Sequence, residues 1–473
     1  MEPAIAGALY TAENLISGAV ALAAGILHPT LPLKANLTHL TSVPLPRTNH
    51  TISIIKGRAY IFGGEESPGT LAPNDMNIVI LPSSGVLSAD YTSIPARSIH
   101  VNGSVPAPRR GHSAAVIGDL IYIFGGEGVA AAENGRIWVF NTSTNDWSFM
   151  DPSPGSAYPS PRSGHASTSA AFPGPRDVIY KERAPQQPAD PAKAVPEPAD
   201  EDSWGTVFLL GGRDIGMGSL LNDALAFDVR TRTWSNIPVP PGQPREGASV
   251  TIVGDRMYRF GGKRVGSGIS SAAQMQYLDV SPVWKHAEGG TTPLAAGWAW
   301  EDIGLNDEKD ERGEAEAVPN SRAGAGLVNV TTGQGRNYLL AIGGEAQAGF
   351  ETETVGTSSA RFLDDIWAFQ IPASSTSAAA LKDQTRAAIK RDTNEGKWAE
   401  VLYTYVDAKG EEEKEDRGTE RFEELGRRRG VGARGHFAVA KGTEVDGASV
   451  VVWGGVDGQG GVLGDGWLVT VER

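Results

Sequence analysis

The 473-residue chain contains no cysteine. That excludes disulfides, thiolate metal sites and cysteine nucleophiles, and says little about compartment. Positive charge is in short supply: 42 Lys and Arg stand against 56 Asp and Glu, a formal net charge of -14. No stretch resembles the basic footprint of a nucleic-acid-binding protein, so no nucleic acid partner is expected. Long hydrophobic runs are missing too. The apolar run at 15–27 is too short to cross a bilayer. Glu2 and Glu13 precede it where a secretory signal would carry basic residues. Residues 1–35 read as a tail or short surface helix, and the chain as a cytoplasmic, membrane-free monomer. The five Asn-X-Ser/Thr triplets, at Asn36, Asn49, Asn102, Asn141 and Asn329, read as unused.

What the chain does have is a repeat. Short apolar strands end in two glycines: AYIFGG at 59–64, IYIFGG at 121–126, VFLLGG at 207–212, MYRFGG at 257–262, LLAIGG at 339–344 and VVVWGG at 450–455. A glycine pair closing such a strand marks tight backbone packing or a positive-φ turn that a Cβ would obstruct. Upstream of the copies lie PRTNH at 46–50, PRRGH at 108–112, PRSGH at 161–165, PREGA at 244–248, SRAGA at 321–325 and ARGH at 433–436. Downstream come an Asp/Asn-led strand and then a Trp strand, as in NDALAFDVRTRTW at 222–234.

Six co-ordered copies of these elements resemble the kelch-repeat family. The resemblance spans residues 36–473 and implies an all-β fold: a six-bladed kelch β-propeller of four antiparallel strands per blade. The last blade runs out of chain after three strands, at 464–471, so residues 36–43 are expected to supply its fourth and close the ring. Insertions fall at about 173–203, 304–320, 371–396 and 404–432. Pro, Ala and acids dominate 183–203, which reads as a disordered loop. Residues 376–391 and the charged run 409–430 suit helices. Blade five's fourth strand is expected over 397–403.

In a blade of this kind the start of the first strand and the end of the second lie on one face. That predicts a charged ring at the channel mouth from two series. One is Arg47, Arg109, Arg162, Arg245 and Arg322, with Arg434 in a displaced register; the other is Glu65, Glu127, Arg213, Lys263 and Glu345, with Val456 last. Such a ring could orient an anionic ligand through bidentate arginine contacts, or pair internally and fix blade to blade. His50, His112, His165 and His436 read as one equivalent position, serving the repeat rather than a metal. No cofactor or metal is expected. The absence of cysteine removes the radical cofactor of galactose-oxidase-like relatives. The nitrile-specifier iron motif of Glu, Asp and His spaced four apart is also absent.

Fold resemblance is nearly silent on function. The leading expectation is an interaction scaffold that binds a protein or peptide partner through its loop face. The alternative is a small-molecule binder or enzyme, nitrile-specifier-like or sugar-epimerase-like, using the charged pocket at the channel mouth; no catalytic residue is identified.

Overall fold

The computed structural model describes residues 28–40, 44–81, 90–101, 103–128, 133–174, 204–264, 268–269, 275–283, 297–303, 317–332, 335–346, 361–373, 377–406, 430–442 and 448–472. The expectations for the tail up to residue 27, the loop at 183–203 and the charged run at 409–429 lie outside the described residues.

The strand Leu120–Phe124 shows why the fold forms. Its side chains alternate between two faces, as in any strand. Ile121 and Ile123 join a cluster with Tyr60, Phe62 and Ile78. Tyr122 and Phe124 join another with Val207, Leu209 and Phe227. Both faces of the sheet are therefore covered, which is why these strands are apolar throughout rather than alternating. The strand Thr206–Leu210 repeats the pattern, with Val207 and Leu209 on one side and Phe208 and Leu210 on the other. There is no single central core. Apolar clusters lie between neighbouring sheets all the way round.

The sheets are blades. Blade one is Thr51–Ile55, Arg58–Phe62, Met76–Ile80 and Asp90–Ile94, paired in that order. Blades two, three and four begin at Ser113–Ile117, Ala166–Ala170 and Ser249–Val253 and have the same order. Blade five begins at Gly326–Thr332 and blade six at Ala438–Lys441. Each first strand touches the first strands of the two neighbouring blades, and the last touches the first of blade one. The first strands thus surround the axis of a six-bladed β-propeller. Tryptophans of the fourth strands lock adjacent blades: Trp147 packs on Phe140 of its own blade and Phe62 of blade one, and Trp234 does the same with Phe227 and Phe124.

Blade six departs from four strands. Lys34–His39 pairs antiparallel with Val462–Val471, with Leu37 opposite Val469, so an N-terminal strand closes the ring, over 34–39 rather than the expected 36–43. Outside it, Leu402–Val406 adds a fifth strand, parallel to Lys34–His39. The fourth strand of blade five is accordingly only Trp398–Glu400, not 397–403. The handover is a change of hydrogen-bond acceptor. Buried Val401 donates to the Ile366 carbonyl of blade five at 2.8 Å, and Leu402 to the Leu33 carbonyl at 2.9 Å. The insertion helix is Ala378–Ala388, capped by the Ser377 hydroxyl and carrying Arg386 in its last turn, an arrangement that suits the helix dipole.

Both glycines of each pair have positive φ. A Cβ on Gly261 would stand 2.4 Å from the Arg322 carbonyl oxygen of the next blade, whereas one on Gly254, also at positive φ, would meet nothing within 4 Å. Gly261→Ala should therefore destabilise the fold by about 3 kcal/mol, and Gly254→Ala by only about 1 kcal/mol. Urea unfolding of the pair checks this; equal midpoints would mean that the glycines are not packed against the neighbouring blade.

Candidate functional site

The expected ring divides in two. The arginines of the first series are buried braces. Arg109 and Arg322 are 0% exposed, Arg162 1% and Arg245 2%. Each of these four sends Nη1 to the carbonyl of the first glycine in its own blade, at 3.0–3.1 Å. Three also clasp a carboxylate from the second-to-third strand connection or from the third strand itself. Arg109 holds Glu133 at 3.0 and 2.8 Å, Arg162 holds Asp223 at 2.6 and 2.7 Å, and Arg322 holds Asp365 at 2.7 and 2.9 Å. Arg434 does the same with Gly454 and Asp465, so its register is not displaced. Arg47 pairs with Glu66 at 2.9 Å. In blade four, burial and then Arg264 pull Arg245 down to about 10, against the pull of Asp302.

The backbone of these arginines does a second job. The N–H of the second glycine in one blade donates to the arginine carbonyl of the next. The bonds run from Gly64 to Arg109, Gly126 to Arg162, Gly212 to Arg245, Gly262 to Arg322, Gly344 to Arg434 and Gly455 to Arg47, at 2.8–3.3 Å. Nearer the axis, Asn49, Gly111, Gly164, Gly247, Gly324 and His436 share one position, all at φ between 54° and 64°. His436 therefore matches the glycines, not the histidines, and Phe437 takes the histidine place: Gly455 faces Phe437 as Gly126 faces His112.

His112 and His165 each brace the preceding blade. Nε2 of His112 meets Thr51 Oγ1 at 2.9 Å, and Nε2 of His165 meets Ser113 Oγ at 2.7 Å. Their rings stand edge-on to Phe62 and Phe124. Burial, then the neighbouring arginine, pulls His50 and His165 down to about 3 and His112 well below its usual value.

Members of the second series pair with one another or with the residue that follows an arginine. Arg110 bridges Glu65 of blade one and Glu127 of its own blade, both at 2.8 Å. Ser163 donates to Glu127 at 2.7 Å. Arg213 binds Glu246 at 2.6 Å, and Lys263 reaches Glu345 at 3.1 Å. Burial works against the charge of Glu127, but Ser163 and Arg110 hold its carboxyl below the usual range. Arg110 and Glu246 are the members of this ring that the repeat conceals, because that position varies from Thr48 to Ala323 to Gly435. The acids Asp223, Asp365 and Asp465 could have been found: Asp223 immediately precedes the third strand Ala224–Asp228, and Asp365 and Asp465, inside the longer third strands Arg361–Gln370 and Val462–Val471, precede the matching stretches at 366–369 and 466–469.

Blade two breaks that last rule. Arg136 occupies the acid's place before Ile137–Asn141, and Glu133 reaches over from three residues earlier to take Arg109 and Trp138 Nε1, the latter at 2.7 Å. Arg136 turns outward instead, clasping Asp151 at 2.6 and 2.9 Å with its guanidinium 3.8 Å above the Phe149 ring. Residues 133–136 stand as a ridge between two hollows on the loop face. One, of about 590 Å³, runs from Val105 past Arg136 and Trp138 to Tyr158. The other, of about 290 Å³, is lined by Glu127, Asn134, Pro161 and Ile215. Tyr158 is 53% exposed and Met217, beside Ile215, 84%. Among the described residues no cluster of three or more His, Asp or Glu is placed to hold a metal.

The KLHDC2/KLHL20/DRC7 Kelch-repeats domain matches residues 33–172, over the stretch that carries the first two blades and the start of the third. The chain is a kelch-repeat β-propeller. It is 26% identical over 233 residues to Kelch domain-containing protein 3 of Bos taurus, covering 48% of this chain and 50% of that protein. It is 34% identical over 131 residues to Rho GTPase-activating protein gacHH of Dictyostelium discoideum, covering 26% and 8%. The kelch propeller thus spans half or less of these relatives' lengths. The solved structure of YjhT superimposes with a TM-score of 0.51 at 14% identity, covering 92% of this chain and 99% of that one, which shows the fold.

Two outcomes follow for the kelch propeller's braces. Arg322→Ala should cost about 3–5 kcal/mol, because it strands a part-buried carboxylate; Arg110→Ala, on the exposed rim, should cost about 1 kcal/mol or less. Chemical unfolding separates them. The histidines make stability depend on pH. The unfolded chain protonates them near 6.5, while the fold keeps them neutral to about 3. Stability is therefore full above 6.5 and falls as pH drops below it, by about 1.4 kcal/mol per pH unit for each histidine. Urea midpoints between pH 7.5 and 5 should show this slope, and His165→Gln should reduce it.

Proposed function

We propose that this kelch propeller is an interaction module that holds a short segment of a partner protein on its loop face, across the two hollows between blades two and three. Kelch propellers commonly mediate protein interactions. The observation that carries the reading is the ridge at 133–136: a rigid, polar divide with exposed apolar side chains on either side. Glu133 is held by Arg109 and Trp138, and Arg136 by Asp151, so the divide is set before a partner arrives. Tyr158 and Ile215 offer apolar anchors at its flanks, and the Asn134 amide and Arg136 edge offer hydrogen bonds. Aromatic anchors beside arginine are the composition that dominates binding energy at interfaces.

The small-ligand alternative at the channel mouth has less behind it. Arginines meant for an anion would be expected to stand without carboxylate partners in the empty protein. Arg109, Arg162 and Arg322 instead hold theirs bidentately, and the rim charges are committed to one another.

A display library of short peptides panned on the propeller tests the proposal. Enriched peptides should bind the parent and lose at least tenfold in affinity with Tyr158→Ala or Ile215→Asp, at unchanged melting temperature. Peptides that bind both variants as well as the parent would move the partner site elsewhere.

A further inference from the structure

Blade one keeps the parts of the arginine brace but not its geometry. In blades three, five and six the guanidinium clasps an aspartate before or within the third strand and donates to the carbonyl of the first glycine. Nε of Arg109, Arg162 and Arg322 goes to the carbonyl two residues back, at 3.0–3.1 Å. Blade one supplies the same acceptors. Asp75 immediately precedes the third strand Met76–Ile80, as Asp223 precedes Ala224–Asp228. Gly63 is its first glycine, at positive φ like the others.

Arg47 uses none of them. Its Nη1 donates to the Pro46 carbonyl at 2.8 Å and pairs with Glu66 at 2.9 Å. Its Nε is buried without a hydrogen-bond partner. The carbonyl two residues back, that of Leu45, accepts the Trp453 indole at 3.1 Å instead. Among the described residues the Asp75 carboxylate meets the Ser93 hydroxyl alone, at a long 3.4 Å, and no donor reaches the Gly63 carbonyl. The position that Arg47 takes is the poorer one in bonds. A buried N–H without an acceptor is costly, and an ion pair to a carboxylate that is 44% exposed gains little. The other blades show what the same parts make when assembled: a buried, bidentate clasp.

We propose that Arg47 is a two-position switch. In the propeller alone it holds Glu66; when the charge of Glu66 is neutralised, the guanidinium turns to Asp75 and the Gly63 carbonyl and completes the brace of blade one. Glu66 lies in the strand Glu65–Ser67, which pairs with Thr70–Leu71 in a hairpin on the loop face. Leu71 packs at Gly128, on the wall of the smaller hollow. The charge that sets the switch is thus open to the outside, while the arginine it controls is only 4% exposed. The inference does not depend on the partner segment proposed above, because a substitution at Glu66 removes the charge without any ligand.

Urea unfolding of four full-length proteins tests it: the parent, Glu66→Gln, Asp75→Asn and the double variant. In the parent, Asp75→Asn should change the unfolding equilibrium constant by less than about threefold, because Arg47 does not use that carboxylate. In the Glu66→Gln background the same change should raise it by about tenfold or more, because a charge-assisted clasp has formed there. Glu66→Gln alone should cost less than about threefold, although it removes the ion pair of a buried arginine, since Asp75 replaces the lost partner. A crystal structure of Glu66→Gln should show the Arg47 guanidinium on Asp75 and the Gly63 carbonyl. An effect of Asp75→Asn that is equal in both backgrounds, or a guanidinium still on the Pro46 carbonyl in Glu66→Gln, would overturn the proposal.

Discussion

One hydrogen bond, made six times, holds this propeller together. The N–H of each second glycine enters the carbonyl of the arginine in the next blade. It can form only because both residues of the glycine pair take positive φ and neither carries a Cβ, since a methyl group on Gly63 or Gly125 would stand 2.6 Å from that carbonyl. The same arginine then turns its guanidinium back to the first glycine of its own blade. Backbone and side chain of one residue thus link two blades and brace a third strand. The apolar clusters between blades supply most of the burial, but the shared bond sets their spacing.

Charge is placed at three depths, with different consequences. Four of the arginine spokes, Arg109, Arg162, Arg322 and Arg434, are buried and capped bidentately by carboxylates, so each is expensive to break and offers little to a ligand. The inner rim is half-exposed, and its pairs run between blades: Arg110 to Glu65, Arg213 to Glu246, Lys263 to Glu345. Such pairs contribute little each, and less at high salt. At the third depth, under the insertion helix, Arg336 and Arg386 share the buried carboxylate of Asp383.

The hollows and the cavity under the insertion helix arise where a blade departs from the repeat. Blade two carries Arg136 where blades three, five and six carry Asp223, Asp365 and Asp465, and the compensating Glu133 stands in the turn that parts the two hollows. Blade five hands its chain to blade six after Val401, and the helix inserted before that strand ties Arg386 to the His28 carbonyl. A residue common to every blade serves the blade; these residues serve only their own.

The chain's own pattern determined the architecture. The glycine pairs, the PR element and the Trp strand recur in fixed order, and only a closed ring of double-sided sheets buries strands that are apolar on both faces. The strand at Lys34–His39 was legible for a related reason: a blade short of one strand leaves an open edge, and the N-terminal residues alternate suitably to cover it. The roles of the arginines were not legible. Sequence places Arg109 beside the channel mouth, but whether it points to solvent or to Glu133 depends on a carboxylate twenty-four residues away. The shift of His436 into the glycine position was hidden in the same way, because the Gly-His pair of ARGHF stands one position early and Phe437 fills the histidine place. The fifth strand at Leu402–Val406 and the cavity around Lys382 come from contacts between segments over three hundred residues apart, such as Arg386 with His28. Local pattern sets what each segment becomes; only the closed ring decides which distant segments meet.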